Sequence, residues 1–217
     1  MSGAASKDSA REAILARVRG AGVESAGRVT REYRQNSGWN RAEILEQFAE
    51  RTAEYKAEVI RGQQSDLPEL LERVCKQRKL SRIVVPAGLE VKLPSSLTAL
   101  HDEPIPLTPE QLETCDAVLT SCALGIAETG TIVLDGGPGQ GRRVLSLIPD
   151  THLCIVLESQ LFGSVPEGVR ALEGSILQGR ALTFISGPSA TSDIELSRVE
   201  GVHGPRNLVV LLLEEDT

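Results

Sequence analysis

Apolar residues fall into two textures along this chain, and the textures meet near residue 80. Before that point they recur at helical spacing. Ile14, Leu15 and Val18 predict a short helix over 8–19, broken by Gly20 and Gly22. Ile44, Phe48, Tyr55 and Val59 lie near one face of a longer helix, which Ser37 or Asn40 can cap and which runs to about residue 61. Asp66 followed by Glu69 resembles a capping box, and Pro68 suits a first turn. Leu67, Leu70, Leu71, Val74 and Cys75 then form an amphipathic stripe. After residue 80 the apolar residues come as short runs: 83–85, 117–119, 132–134, 153–157, 182–185 and 208–213. Unbroken runs of strand length predict strands buried on both faces, as in a parallel sheet. Helical pieces fit between some of them, at 109–113, 140–147 and 166–173.

This alternation predicts an α/β fold: a three-layer α/β/α arrangement around a mostly parallel sheet, with the N-terminal helices packed on one side or edge. Residues 1–80 are assigned to a helical extension and 81–217 to the core, within one domain. No internal repeat interrupts the pattern. Ligands of such sheets collect beyond the carboxyl ends of the strands, so the residues just after each run are the ones to read for chemistry.

Composition narrows the options. Aromatic residues make up only 3% of 217 residues, so the core rests on Leu, Val, Ile and Ala. The net charge is −7, with a net +3 in residues 1–80 and −10 in the rest. The larger part therefore repels a phosphate backbone, which argues against nucleic-acid binding. No apolar run approaches the ~20 residues of a membrane span. No apolar stretch follows the polar N-terminus either, so a cytoplasmic location is expected. Cys75, Cys115, Cys122 and Cys154 form no C-x-x-C pair. Buried structural thiols are expected, with no metal or cluster held by this chain.

Three segments could carry chemistry. Glu128-Thr129-Gly130-Thr131 leads into the run 132–134, with a glycine that lets backbone approach a ligand or simply makes a tight turn. The loop 135–141 holds four glycines before a predicted helix, a place where backbone N–H groups can hold phosphate. Neither the dinucleotide fingerprint nor a P-loop is present, although Arg142 or Arg143 could hold an anion. The third segment, 186–195, is the richest. Ser186, Ser189, Thr191 and Ser192 supply hydroxyls, Gly187-Pro188 sets a turn, and Asp193 and Glu195 supply carboxylates. His203, in Gly201-Val202-His203-Gly204-Pro205, follows closely. Asp193, Glu195 and His203 are the candidates for proton transfer. His152 and His101 are read as structural. No Gly-x-Ser-x-Gly elbow and no His-Glu-x-x-His occurs, which argues against a hydrolase triad or a zinc protease.

Taken together, Ser186-Gly187-Pro188-Ser189 with Thr191, Asp193-Ile194-Glu195 and Gly201-Val202-His203-Gly204-Pro205 resemble the closing signature of the LutC/YkgG family, the LUD domain. Glu128-Thr129-Gly130-Thr131 resembles its central motif. Arg143, Ser146-Leu147, Pro149 and His152 match an R-x-x-S-L-x-P-x-x-H stretch. The resemblance implies a fold similar to the NagB/RpiA/CoA-transferase-like group. It also implies a part in oxidising L-lactate to pyruvate beside LutA-like and LutB-like partners, one of which carries iron–sulfur clusters. On that view Glu128, Thr129, Gly130, Thr131, Arg143, Gly187, Ser189 and Thr191 bind a small anionic substrate at the strand ends. This chain would then be a subunit without a cofactor of its own. The alternative is a free-standing enzyme acting on a sugar phosphate or acyl-CoA.

Overall fold

The computed structural model describes residues 4–21, 32–191, 199–200 and 204–216, with residues 4–9, 190–191 and 199–200 described by backbone alone. Two compact units divide the chain, residues 1–33 and 34–217. The first contains α1 (Ala4–Gly20). The second runs α2 (Arg41–Glu54), β1 (Glu58–Gln63), α3 (Leu67–Arg78), β2 (Arg82–Val85), β3 (Thr98–His101), α4 (Pro109–Glu113), β4 (Ala117–Thr120), β5 (Leu124–Ile126) and β6 (Thr131–Leu134). It continues with β7 (Thr151–Leu157), β8 (Leu161–Phe162), α5 (Val165–Ala171), α6 (Glu173–Leu177), β9 (Thr183–Ile185), β10 (Ala190–Thr191), β11 (Val199–Glu200) and β12 (Asn207–Glu214).

Six strands form the central sheet in the order β1-β12-β7-β4-β2-β3, every neighbouring pair parallel. The unbroken apolar run of β12 serves both faces. Val209, Leu211 and Leu213 join Leu70, Leu71 and Val74 of α3 in one cluster. Leu208, Val210 and Leu212 join Leu45 and Phe48 of α2 in another. β7 divides the same way, Leu153 and Ile155 to the first cluster and Cys154 and Val156 to the second. Burying a side chain of this size stabilises the fold by about 1.5–3 kcal/mol, so losing either face of either strand would be severe. The second face also carries a four-stranded sheet, β8-β5-β6-β9, in which β6 is antiparallel to both neighbours. The class is therefore α/β around a mostly parallel sheet flanked by helices, with a second small sheet that the sequence pattern did not suggest.

Several elements differ from expectation. The helix starting after Asn40 ends at Glu54 rather than near residue 61, and residues 58–63 pair along their length with β12. Lys56, at φ 68°, makes the turn between them. β1 is thus a strand of the central sheet, and the boundary between the compact units falls after Tyr33 rather than after residue 80. Asn40, not Ser37, is the cap: its side chain accepts from Glu43 N at 3.0 Å and Glu43 accepts from Asn40 N at 2.8 Å. The Asp66 carboxylate accepts from Gln63 N at 2.9 Å instead of capping α3. The stretch 140–147 forms a single 3-10 turn, Arg143–Ser146. Gly139 and Gly141, both at positive φ, and the Gln140 side chain, accepting from Asp135 N at 2.6 Å, fold the loop back before a helix can start.

On α2, Gln47 Nε2 is buried without a hydrogen-bond partner. An unmet donor costs about 1–3 kcal/mol, so Gln47→Met is expected to raise stability by about 1 kcal/mol. Urea unfolding reads this directly; a Gln47→Met midpoint at or below that of the parent protein contradicts it.

Candidate functional site

A cavity of about 330 Å³ is walled by four pieces of chain. The 3-10 turn contributes Arg143 and Ser146, β9 contributes Thr183, Phe184 and Ile185, and the segment after it contributes Ser186 to Ser189. Gly204 and Pro205 close one side, and His152 and Leu208 lie at its base. His152 and Leu208 are each the second residue of their strands and neighbours across the sheet. The cleft thus opens at the amino-terminal ends of β7 and β12, not at the carboxyl ends where it was expected. The reason is topological: the hydroxyl-rich segment leaves β9, a strand of the small sheet, and the rule for strands of the parallel sheet does not govern it.

The carboxyl ends hold a different cavity, of about 410 Å³. It is lined by Ala87 after β2, Glu103 after β3, and the loop 135–141. Three amides of the glycine loop are spent within the fold. Gly137 N donates to Asp135 Oδ1 at 3.0 Å, Gly139 N to Ala87 O at 2.8 Å and Gln140 N to Gly137 O at 3.1 Å. Those amides are occupied, and no helix follows. Arg143, Ser146 and Thr183 wall both cavities.

Of the residues singled out in the sequence, Arg143, Gly187 and Ser189 line the first cleft together. Gly187 sits at φ 116°, and a Cβ there would lie 2.7 Å from Tyr55 O. Ser189 is held by its N–H, which donates to Pro205 O at 2.8 Å. Thr129 and Thr131 reach the cleft indirectly. Their hydroxyls are 2.7 Å apart, and Thr131 Oγ1 is 2.7 Å from Ser186 Oγ, so a hydroxyl chain ends in the cleft wall. Glu128 does not join them. Its carboxylate pairs with Arg34 and accepts from Val165 N at 3.2 Å, which places it at the start of α5. Gly130, at φ 57°, approaches the backbone of α2 rather than a ligand. Thr191 is described by backbone alone, as half of the β10–β11 pairing. Asp193, Glu195 and His203 lie outside the described residues.

Arg143 is the informative cation. Its neighbours in sequence and space are committed: Arg142 holds Asp102 through two contacts of 2.7 Å, and Arg180 holds Asp135 at 3.1 Å. Arg143 has no carboxylate partner among the described residues. An exposed guanidinium beside hydroxyls and a cavity presents five donors and no acceptor, which suits a carboxylate or phosphate.

Two residues that line the cleft were not among the site candidates: Ser146 was noted only for the family stretch, and His152 was also read as structural. Ser146 and His152 belong, with Arg143 and Leu147, to the R-x-x-S-L-x-P-x-x-H stretch, and all four line the cleft. That stretch therefore forms one wall, and its spacing was the available signal. Beneath His152 lies a buried polar chain. His152 Nε2 is 2.8 Å from Thr120 Oγ1, and Thr120 in turn is 3.8 Å from Cys154 Sγ. Cys122 lies beside Cys154, and its contact, helped by His152 and Thr120 against the effect of burial, pulls the Cys154 thiol down. The same contact, with burial, pushes Cys122 well up. All four cysteines are buried and free, and burial raises Cys75 and Cys115. Among the described residues, no group of His, Cys, Asp and Glu is arranged to hold a metal ion, and no helix is long and apolar enough to cross a membrane.

The sequence matches the LUD domain over residues 45–213. It is 49% identical over 175 residues to "Lactate utilization protein C" of Deinococcus radiodurans, covering 80% of this chain and 81% of that one. It is 38% identical over 95 residues to "Uncharacterized protein YkgG" of Escherichia coli, covering 42% and 41%. The fold matches the crystal structure of a DUF162 family protein from Deinococcus radiodurans with a TM-score of 0.71 and 42% identity, over 81% of this chain and 99% of that one.

Proposed function

Because this chain belongs to the LUD domain family, we propose that it serves in lactate utilization, as the subunit that binds a small carboxylate while an iron–sulfur partner carries the electrons. The observation that carries the reading is Arg143: an arginine without a carboxylate partner among the described residues, on the wall of a cleft with Ser146, Ser186 and Ser189. A ligand carboxylate would complete what the described residues leave open there. Charge-assisted bonds of this kind are the stronger class of hydrogen bond, and a bidentate pair also fixes orientation. LutA-like and LutB-like proteins are the partners this reading assigns, in the cytoplasm. The three-protein arrangement would leave this chain without a cofactor of its own, in keeping with cysteines that are buried and spaced unlike cluster ligands.

Calorimetric titration with L-lactate tests the binding. Arg143→Gln is expected to weaken it by about 2 kcal/mol, roughly thirtyfold, because a charge-assisted pair is lost. Unchanged affinity in Arg143→Gln, or no binding by the parent protein, removes the reading. Purification of the tagged chain from its own cells tests the partnership, which requires an iron–sulfur protein in the eluate.

One observation favours a second reading, an enzyme of sugar phosphates or acyl-CoA. Arg143, Ser146 and Thr183 also wall the neighbouring cavity of about 410 Å³, so the same cation faces more space than a three-carbon acid fills. A thermal shift with sugar phosphates or CoA esters and none with lactate decides for it.

A further inference from the structure

We infer that Cys122 and Cys154 form a redox pair, which peroxide joins by a disulfide that ties the turn after β4 to β7 inside the folded protein. The inference stands apart from whatever the cleft binds.

Topology brings the two cysteines together. β4 and β7 are parallel neighbours, with Thr120 opposite Cys154. The chain then bends out of β4: Ser121 N donates to Gly139 O at 2.8 Å and Ala123 N to Val133 O at 2.9 Å. Gln160 holds Cys122 in the bend. The Cys122 carbonyl accepts from Gln160 Nε2 at 2.8 Å, and the Cys122 thiol donates to Gln160 Oε1 at 3.4 Å. Gln160 closes the turn that follows β7, so these bonds draw Cys122 toward the strand that carries Cys154. Cys154 Sγ lies 3.8 Å from Thr120 Oγ1 and 3.8 Å from Ser121 O, the carbonyl of the peptide that leads into Cys122. Both residues belong to one buried cluster, whereas Cys75 and Cys115 belong to two others. A disulfide asks for Cα atoms no more than about 7 Å apart, and a sulfur seated against the other residue's own peptide is the approach this requires.

An oxidant has a way in. A cavity of about 510 Å³ beyond the carboxyl ends of β4 and β7 is lined by Cys122 with Ser121, Ser159 and Gln160. Cys154 itself is fully buried. The Cys122 sulfur therefore attacks first, at one peroxide oxygen. An S–O bond forms, the O–O bond breaks, and the departing hydroxide takes the Cys122 proton as the first water. The Cys154 sulfur then attacks the Cys122 sulfur. The S–S bond forms, the S–O bond breaks, and the second hydroxide takes the Cys154 proton as the second water. The two thiols lose two electrons and the peroxide gains them. Cys154 and burial hold the Cys122 thiol protonated, so the pair answers sustained peroxide rather than brief exposure. The new bond takes Cys154 Sγ from Thr120, whose hydroxyl is also 2.8 Å from His152 Nε2. Oxidation thereby changes the polar chain beneath the cleft.

The test treats the folded parent protein with hydrogen peroxide in the absence of denaturant, blocks the remaining thiols and maps every cysteine by mass spectrometry. The expected product is a Cys122–Cys154 link in most chains, reversed by dithiothreitol, with Cys75 and Cys115 still free. This reading needs no variant, so a folding defect cannot obscure it. Cys122→Ser should leave Cys154 without a disulfide under the same treatment, and Cys75→Ser should leave the link intact. Absence of the link overturns the inference. So does conversion of Cys122 to its sulfinic acid alone, or a link that forms only once urea has unfolded the chain.

Discussion

Gly130→Ala is expected to lower the stability of the protein by about 4 kcal/mol, from two costs that add. Gly130 sits at φ 57°, where a residue with a Cβ gives up about 1–2 kcal/mol. The new methyl would also lie 2.5 Å from Thr52 N and 2.6 Å from the Arg51 carbonyl carbon. Those are backbone atoms in the last turn of α2 and cannot swing aside as a side chain can, so overpacking of about 1–3 kcal/mol follows. Gly38→Ala separates the two costs. Gly38 has a φ of 76° and nothing within 4 Å of its would-be Cβ, so it carries the backbone cost alone. Urea unfolding of both variants checks this; equal losses at the two positions would show that the collision with α2 contributes nothing. Gly130 is thus the point where the turn before β6 seats on a helix, where Thr52 Oγ1 also reaches Gly130 O at 3.4 Å.

Arg142→Met is expected to cost about 3 kcal/mol near pH 7, because it strands a buried charge. Asp102 is 4% exposed and receives both Arg142 contacts, with Leu107 N adding a third at 2.8 Å. The Arg142 side chain is 46% exposed, which puts the cost at the low end for a buried pair. The Arg142 guanidinium holds the Asp102 carboxyl below its ordinary 3.8, with the Leu107 amide helping against burial. A carboxyl lowered on folding stabilises the protein fully above its unfolded value, and the contribution fades as pH falls through the folded value. The gap between parent and Arg142→Met should therefore be widest near pH 7 and narrow below about pH 4. Unfolding curves at about pH 7, 5 and 3 test this, and a gap that stays constant down to pH 3 rejects the assignment.

The parts of the fold legible in the sequence are those where burial leaves no choice. Runs 83–85, 117–119, 153–157 and 208–213 read as strands because both faces of each are covered, so no polar residue interrupts them. β1 was hidden for the opposite reason. It is an edge strand, and its Glu58, Arg61 and Gln63 are exposed and suit a helix equally well. Its partner, not its own residues, makes it a strand. β5 and β8, three and two residues long, fall below any periodic signal. The site divides likewise. Arg143 and the segment 186–189 are polar in a way that a core does not need. Glu128 looked equally functional, yet its carboxylate is spent on Arg34 and the start of α5. His152 looked structural because apolar residues follow it. What it does depends on which face of β7 it occupies, and that follows from pairing across the sheet.

The position of β12 governs how this protein can be made. It lies between β1 and β7, yet it is synthesised after every other strand of the sheet. β1 leaves the ribosome about 150 residues before the strand it pairs with, and closing so distant a pairing is slow. Until then β1 and β7 each present an unpaired edge, a state prone to association with other nascent chains. A stalling sequence placed soon after residue 214 should therefore keep β12 inside the exit tunnel and the sheet unclosed, while a long spacer between residue 214 and the stall lets β12 emerge and pair with β1 and β7.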